Sequence, residues 1–251
     1  MFYLPAFALA DDSGIFRVDR STLSHQVLIE ILFSNLARQS KMYDANGDFK
    51  EIKSLECIEL DSNGDVVTVD LFYRYIRGNL DVQCLPDTVV KFNFSFNQLH
   101  GALECSRLPT ALLSAFASSN RLSGEIDLPR LPPLIKCFEV KRNKFSGTLD
   151  FSEMPTGILW LSLAQNSLDG KIDLSMLKMK IAWTGKEGPP HVAWANPVLY
   201  ASELLSLDLS DNQFSGDIGV REIKAVKGDR MFGQLACSEI VDLTLKRRTI
   251  D

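Results

Sequence analysis

The residue types that carry out most enzyme chemistry are scattered along this sequence. The three histidines, His25, His100 and His191, fall in three different segments. The five cysteines have irregular spacing without a Cys-x-x-Cys pair; they are Cys57, Cys84, Cys105, Cys137 and Cys237. The sequence also has no Gly-x-Ser-x-Gly, His-Glu-x-x-His, Walker A or Gly-x-Gly-x-x-Gly motif. We therefore predict no catalytic site, no metal site and no bound cofactor.

Carboxylates are the other residues whose spacing could support chemistry. Five of them recur every 23 residues: Asp81, Glu104, Asp127, Asp150 and Asp173. If they stacked on neighbouring strands ~4.8 Å apart, their mutual repulsion would raise some of their pKa values. Arg107 and Arg130, three residues after two of these acids, could offset part of that repulsion. The column is either a stripe for a basic partner or a divalent cation, or a solvated column with favourable turn geometry.

Two aspartate-rich segments, 44–48 and 61–65, resemble the start of a calcium-binding loop. Neither has the glycine at position 6 or the glutamate at position 12 of an EF-hand. We predict that both are turns.

The elements that would position these residues belong to a repeat of 23 residues. Asn97, Asn120, Asn143 and Asn166 follow one another at this spacing, and Asn212 comes two periods later. Counted from each asparagine, apolar residues recur at −8, −5, −3, +2 and +6, and a glycine recurs at +4. The alternation at −5 and −3 predicts one short parallel strand per copy, whose exposed backbone groups the asparagine could satisfy. Apolar residues at +6 and +8 suggest a second short strand.

The repeat resembles the leucine-rich repeat pattern L-x-x-L-x-L-x-x-N-x-L. "LSGEIDLPRLP" and "FSGTLDFSEMP" are similar to its plant-type subclass, and the "IDLxxLP" ending is similar to proteins of kinetoplastid-type protists. The resemblance covers about residues 62–222, with an earlier copy that has Arg74 in the asparagine position. It implies a β-rich α/β solenoid, a right-handed superhelix with a parallel inner sheet, and a role in binding partners.

Both ends of the chain could cap the solenoid. We predict an N-terminal segment and cap over residues 1–61 with a helix over 21–39, and a hairpin that turns at Asn63-Gly64. The predicted apolar face of the helix contains Val27, Leu28, Ile31, Leu32 and Leu36. This arrangement resembles the N-terminal cap of plant-type leucine-rich repeat proteins, which usually has a cysteine pair where this sequence has only Cys57. In residues 223–251, "IVDLTLKRR" predicts a last, partial strand.

The copy at residues 177–199 is degenerate. Pro189 stands in the asparagine position and is followed by Pro190, so a regular strand and turn are improbable there. We interpret this period as overwritten rather than inserted: the copy begins normally, leaves the sheet as a loop over 184–197 and returns by about Leu199. The copy contains Trp183, His191 and Trp194, which either bind a partner or fill a gap in the core.

The strand positions −6, −4 and −2 are predicted to be exposed on the concave face and to bind a partner. Candidate binding residues there are Phe72, Lys91, Phe116, Glu139, Lys141, Trp160 and Asp208; the loop adds Trp183, His191 and Trp194. We therefore predict a non-catalytic protein–protein interaction scaffold; the alternative is a structural subunit or spacer of a larger assembly. A glycosylation motif at 93–95 lies on the same face, and we interpret the match as incidental.

Composition excludes some partners and leaves the location open. The formal charge is −5 and there is no block of lysine and arginine, which argues against nucleic acid. No apolar run approaches the ~20 residues of a membrane span. Free cysteines favour a reducing compartment such as the cytoplasm. Residues 1–10 are either an apolar segment that packs on the domain or a signal peptide, and a signal peptide would place the protein outside the cell or at its surface.

Overall fold

A computed structural model describes residues 22–37, 40–173, 180–181, 206–209, 211–215 and 224–225. Over these ranges the chain forms one α-helix, α1 (His25–Ser34), and short strands. The strands are β1 (Ile58–Leu60), β2 (Val66–Asp70), β3 (Arg77–Asn79), β4 (Lys91–Asn93), β5 (Gln98–Ala102), β6 (Ser114–Phe116), β7 (Arg121–Gly124), β8 (Cys137–Glu139), β9 (Lys144–Gly147), β10 (Trp160–Ser162), β11 (Ser167–Leu168), β12 (Lys180–Ile181), β13 (Ser206–Asp208) and β14 (Lys224–Ala225).

The inner sheet has seven strands in the order β1-β2-β4-β6-β8-β10-β13. β1 and β2 form an antiparallel hairpin, and every later pair is parallel. Equivalent positions of successive copies are paired, as in Phe92 with Ala115 and Ala115 with Phe138. The predicted solenoid with a parallel inner sheet is confirmed.

Each copy contributes its −5, −3 and +2 side chains to one continuous core. Phe92 and Phe94 are fully buried, and their rings stack with centroids 4.8 Å apart. Leu99, Leu122 and Phe145 close the core from the other side. Burying one such side chain contributes about 1.5–3 kcal/mol, and each copy does so only against its neighbours.

The asparagine at the end of each inner strand joins its own copy to the preceding one. Asn120 Nδ2 donates to the carbonyl oxygens of Phe94, at 2.9 Å, and Ala117, at 3.2 Å. Its Oδ1 accepts from the N–H of Leu99 at 3.0 Å. The pattern recurs at four further asparagines: Asn97, Asn143, Asn166 and Asn212. The predicted role of this residue is therefore confirmed.

A second parallel sheet, in the order β11-β9-β7-β5-β3, comes directly after the asparagine in each copy. The prediction of a second strand at +6 to +8 was therefore wrong in position. Residues from +8 onward form 3₁₀ turns instead, at Val82–Cys84, Cys105–Arg107 and Leu128–Arg130. The glycine at +4 has a positive φ, +93° in Gly124, and β7 and β9 end at this residue.

The N-terminal helix is shorter than the predicted range of 21–39. Ser24 caps its start, since the Ser24 hydroxyl accepts from the N–H of Val27 at 3.3 Å. After Ser34 the chain leaves the helix and Leu36 pairs with Gly78 at the edge of β3. The buried face is also rotated from the predicted one, because Ile29 and Phe33 are buried whereas Val27 and Ile31 are only half-buried; Leu28, Leu32 and Leu36 are buried as expected.

The degenerate copy does not add a strand between β10 and β13, because these two strands pair directly, with Trp160 opposite Ser206. Asn212 Nδ2 donates to the carbonyl oxygen of Leu163 at 3.0 Å, as if the copy of Asn166 were its immediate neighbour. The 46 residues between these asparagines thus make one step of the sheet, where 23 suffice elsewhere. The extra period is an insertion, and our interpretation that it was overwritten in place was wrong. β12 and β14 form a separate parallel pair.

Candidate functional site

The concave face is less accessible than the alternation of the strands predicted. Its small polar residues are buried: Thr68, Asn93, Ser95, Ser114, Ser118, Ser162 and Asp208. A side chain on an inner strand is flanked by side chains on both neighbouring strands, ~4.8 Å away, and short ones lie below longer neighbours. The larger candidates Lys91, Phe116, Glu139, Lys141 and Trp160 are half-buried, and Phe72 is exposed.

Asp208, a predicted partner-binding residue, instead holds the last inner strand in place. Its side chain is only 2% exposed, and Lys141 Nζ lies 3.4 Å from its Oδ2. Lys141 extends across β10, where Ser162 and Ala164 are small and buried. A carboxylate this buried is used within the fold, and contact between Asp208 and a partner stays a prediction.

Glu139 belongs to a chain of hydrogen bonds across the concave face. The Ser118 hydroxyl donates to Glu139 Oε1 at 2.7 Å, and Ser95 Oγ accepts from the N–H of Ser118 at 3.2 Å. Asn93 Oδ1 in turn accepts from the N–H of Ser95 at 3.1 Å. Asn93 is 2% exposed, so the glycosylation motif at 93–95 is closed to modification in the folded protein.

The three aromatic residues predicted on this face do not meet. Phe72, Phe116 and Trp160 lie in alternate copies, and each is displaced by two residues along its strand from the one before. Strand geometry places successive members about 12 Å apart. They form a diagonal across the sheet rather than one contact surface.

Phe72 instead belongs to an exposed group that we call the aromatic cluster: Phe72, Tyr73, Tyr75 and Phe96. Their exposed fractions are 48%, 54%, 64% and 47%. The ring centroids of Phe72 and Phe96 are 5.5 Å apart, and those of Tyr73 and Tyr75 are 4.9 Å apart. The Tyr75 hydroxyl donates to the Tyr73 hydroxyl at 2.8 Å. The aromatic cluster lies where the first two copies leave the inner sheet.

Three of these four residues, Tyr73, Tyr75 and Phe96, were not predicted from the sequence as binding residues. Tyr73 and Phe96 occupy the position just before the asparagine slot, where the backbone has a positive φ of 51° and 58°. The same conformation recurs at this position in Ser119, Arg142, Gln165 and Asp211. A left-handed residue interrupts the alternation of a strand, so a period of two does not predict its side-chain direction. The available signal was the run of aromatics at 72–75, followed by Phe96 one period after Tyr73.

Four acidic residues at +7 interact with residues two or three positions later in the turn that follows each of them. The Ser152 hydroxyl and N–H donate to Asp150 and lower its pKa, the opposite of the predicted rise. Arg107 pairs with Glu104, and Arg130 pairs with Asp127, each at 3.3 Å, as expected. Asp81 Oδ1 accepts from the N–H of Gln83 at 3.2 Å; Asp44 and Asp61 act similarly in the turns at 44–48 and 61–65.

The part of the chain that the structure describes has no group of three or more His, Cys, Asp or Glu residues that could hold a metal ion.

Comparison with solved structures decides the type of fold. The BIR3–SERK2 complex from Arabidopsis thaliana matches with 19% identity and a TM-score of 0.54, over 77% of this chain and 96% of that chain. The BIR2 ectodomain from Arabidopsis thaliana matches with 22% identity and a TM-score of 0.55, over 77% and 95%. The LRR ectodomain of the Arabidopsis receptor kinase HAESA, in complex with an IDA peptide hormone, matches with 21% identity and a TM-score of 0.55, over 76% and 29%.

The fold is a leucine-rich repeat solenoid. No protein-family model matches the sequence, and no curated protein matches it either. The similarity therefore establishes the architecture of this chain.

Two cysteines of the described part of this leucine-rich repeat solenoid, Cys105 and Cys137, are not poised to react. Cys57, Cys84 and Cys105 are buried, Cys137 is half-buried, and none of these four forms a disulfide. Burial raises the pKa of Cys105 to about 12 and that of Cys137 to about 11. Thiols with such pKa values are almost wholly protonated at neutral pH and are poor nucleophiles.

Some predictions fall on residues outside the described part of the solenoid. Trp183, His191, Trp194 and Cys237 belong to this group, as do residues 1–10, the loop at 184–197 and the partial strand near the C-terminus. They stay predictions, as do the domain boundaries. Over the residues that are described, no helix is long and apolar enough to cross a membrane.

Proposed function

We propose that this chain is a non-catalytic protein–protein interaction module whose main contact surface is the aromatic cluster. The observation that carries the proposal is four neighbouring aromatic side chains, each about half exposed. Aromatic side chains bury a large area at low entropic cost and are enriched among the residues that dominate binding energy. Contiguous exposed apolar surface on a folded domain marks interaction sites.

The concave face would extend this surface. Lys91, Phe116 and Trp160 are half-buried on the inner sheet and leave part of each side chain available to a partner. Glu139 and Lys141 are held by hydrogen bonds or ion pairs, so they would give specificity more than affinity. Trp183, His191 and Trp194 remain candidates for a second binding element on the inserted segment.

The comparisons support a binding role by analogy of fold. HAESA was crystallised with a peptide hormone, and BIR3 with SERK2. Both are solenoids of the same architecture that bind a protein or peptide. The narrower likeness to proteins of kinetoplastid-type protists stays a prediction.

We also propose a secreted or cell-surface location. The solved structures similar to this chain include ectodomains of receptor kinases, and they give no support to the cytoplasmic location expected from the free cysteines. Expression with a C-terminal tag, followed by fractionation and N-terminal sequencing, would test this: a secreted product shortened near residues 1–10 is expected. A full-length product confined to the cytosol would contradict it.

The proposed function is tested by proximity labelling followed by affinity measurement. The variant is Tyr73→Asn/Phe96→Asn, because asparagine removes the ring and tolerates the positive φ of both positions. We expect partners that wild type labels to be lost, and Kd for a purified partner to rise at least tenfold, about 1.4 kcal/mol. Leu134→Ala is the control, because Leu134 is equally exposed but lies outside the aromatic cluster.

Three results would contradict the proposal. Equal labelling by the double variant and wild type would remove the aromatic cluster as the contact surface. Equal loss in Leu134→Ala would show a general effect of surface changes. Co-purification in one fixed stoichiometric complex that does not exchange would favour the structural-subunit alternative.

A further inference from the structure

Positive charge is concentrated next to the aromatic cluster. Positions −1 to +3 of the first four copies are residues 73–77, 96–100, 119–123 and 142–146. They contain five arginines and lysines and one histidine but no aspartate or glutamate: Arg74, Arg77, His100, Arg121, Arg142 and Lys144. The whole chain has more acidic than basic residues, 32 against 27, whereas these segments have only basic ones. Positive and negative residues are therefore unevenly distributed along the chain.

The second sheet places four of these residues on one outward face, which we call the basic stripe: Arg77, His100, Arg121 and Lys144. His100 on β5 pairs with Arg121 on β7, and Ser123 on β7 pairs with Lys144 on β9. Paired residues of a sheet project to the same side. Leu99, Leu122 and Phe145 project to the other side and are buried, so all four members of the basic stripe are exposed.

The cations of this surface are not neutralised within the fold. Over the described residues, none of the five arginines and lysines is in an ion pair with a carboxylate; Arg121 Nη2 donates to the neutral Gln98 Oε1 at 3.4 Å. Arg107 and Arg130, in contrast, each pair with the acid three residues earlier. The basic stripe therefore presents a positive potential that stays available to a partner.

The aromatic cluster and the basic stripe are continuous. Arg74 lies between Tyr73 and Tyr75 in the chain, and Arg77 follows Tyr75 by two residues at the start of β3. Arg77 pairs with Gln98, His100 with Arg121, and Ser123 with Lys144, so the basic stripe runs diagonally from β3 to β9. Three strand spacings across and four residues along give it a length of about 20 Å. That length accommodates about six residues of an extended peptide.

We propose that the basic stripe and the aromatic cluster together bind an extended, acidic segment of a protein partner. An apolar or aromatic residue of that segment packs on the aromatic cluster, and its carboxylates pair with Arg77, Arg121 and Lys144. Arginine suits this role because its guanidinium donates two parallel hydrogen bonds to one carboxylate. A protein is favoured over nucleic acid because the arginines and lysines of this surface stand singly, without the lysine- and arginine-rich block that a series of phosphate contacts needs. The inference rests on the proposed function and adds the chemistry of the partner.

The test uses the full chain and a fluorescein-labelled peptide of one phenylalanine followed by six alternating aspartates and glutamates. Fluorescence anisotropy at 50 and 300 mM NaCl should show binding that weakens with salt. Arg77→Gln/Arg121→Gln should weaken binding at 50 mM NaCl at least tenfold and reduce its salt dependence. The matched control, Arg107→Gln/Arg130→Gln, removes the same charge from ion pairs elsewhere in the repeat and should leave the affinity within twofold.

Other outcomes would overturn the inference. The acidic peptide could fail to bind, or both double variants could weaken binding equally. Tighter binding of a single-stranded oligonucleotide of equal charge would make the basic stripe a general polyanion site. Salt-sensitive dimerisation in sedimentation experiments, lost in Arg77→Gln/Arg121→Gln, would make a second copy of this chain the occupant.

The inference and the proposed function can fail separately. If a partner found by labelling is lost from Tyr73→Asn/Phe96→Asn but binds Arg77→Gln/Arg121→Gln normally, the acidic-segment inference is wrong and the proposed function stands. If the acidic peptide binds as expected but the aromatic variant labels the same partners as wild type, the aromatic cluster is not the contact surface, and the proposed function fails.

Discussion

The repeat asparagine shows how one residue type can fix the spacing of a whole fold. Asn143 Nδ2 donates to carbonyl oxygens of its own copy and the copy before, and its Oδ1 accepts from the N–H of Leu122. These backbone groups lie where the chain turns out of the inner sheet, so the strands cannot satisfy them. Because the asparagine bonds to two copies at once, its column keeps the copies in register.

Cysteine burial leads to a prediction about alkaline pH. Burial raises the pKa of Cys105 to about 12, against about 8.5 in an unfolded chain. A raised folded-state pKa gives stability that is complete below the unfolded pKa and is lost as pH rises toward the folded one. Above pH 9 the free energy of unfolding of wild type should therefore fall by about 1.4 kcal/mol more per pH unit than that of Cys105→Ala. Urea unfolding in the presence of reductant measures both.

Below pH 8 the difference between these two proteins should not change with pH. Ser106→Ala is the control, because it alters an exposed neighbour without a titrating group, and its difference from wild type should be constant throughout. A Cys105→Ala difference that is equally constant up to pH 11 would contradict the prediction.

At the scale of elements, the N-terminal cap depends on a glycine. Gly78 has φ +129°, and a methyl group there would meet the Asn35 carbonyl oxygen and approach Leu36 Cα at 2.8 Å. Two hydrogen bonds hold this junction: the N–H of Ala37 donates to Arg77 at 2.6 Å, and the N–H of Asn79 donates to Asn35 at 3.1 Å. The chain after the helix thus closes the edge of β3, which would otherwise be an unpaired strand edge.

We predict that Gly78→Ala destabilises the protein by about 2 kcal/mol more than Gly124→Ala. Both substitutions force alanine to a positive φ, at a cost of about 1–2 kcal/mol. At Gly124 the added methyl meets only Ala102 Cβ, at 3.6 Å, which is an ordinary contact. Only Gly78→Ala also disrupts two hydrogen bonds, worth about 1 kcal/mol each. Chemical denaturation measures both, and equal losses would show that the junction at Leu36 contributes little.

The inner strands and their buried columns could be predicted from the sequence because each column is sampled in every copy. The burial of Phe138 and Leu161 is predicted by Phe92 and Leu207, which occupy the same column in other copies, as well as by the residues next to them in the chain. The direction of Tyr73 and Phe96 could not be predicted, because a positive φ breaks the strand period just before the asparagine. The burial of Asp208 was missed as well, because its partner Lys141 is 67 residues away and two strands across the sheet.

The insertion shows a second limit of pattern alone. A spacing of 46 residues equals two periods, so it fits a degenerate copy kept in the stack as well as one excluded from it. Only the pairing of β10 with β13 distinguishes the two. Sequence periodicity gives the phase of a repeat, whereas the contacts between strands give the number of layers.

At the scale of the whole molecule, stability comes from contacts between neighbouring copies. Asp173 and Ser206 are 33 residues apart, whereas the equivalent Asp127 and Cys137 are separated by 10. Deleting residues 177–199 removes 23 residues, which leaves Asp173 and Ser206 separated by 10 as in the regular copies. We predict that this variant folds and keeps its melting temperature within about 4 °C of wild type, a difference of about 1–2 kcal/mol.

The control is a deletion of equal length in a regular copy, residues 108–130, which removes β6 and β7 and should lower the melting temperature by more. If both deletions cost the same, the 177–199 segment contributes to the core, in keeping with tryptophans that pack inward. Partner binding by the first variant also tests Trp183, His191 and Trp194, because only a binding loop would lose affinity on deletion.

The N-terminal cap gives the stack a direction. β1 pairs with β2 on the N-terminal side of the inner sheet, the chain after α1 pairs with β3 of the second sheet, and the regular copies follow one another from there. The ribosome delivers the chain in the same order. Each emerging copy of 23 residues finds a completed surface on which to fold, and no copy has to wait for a later one to supply its first partner. The molecule is therefore suited to being built during translation, one layer at a time.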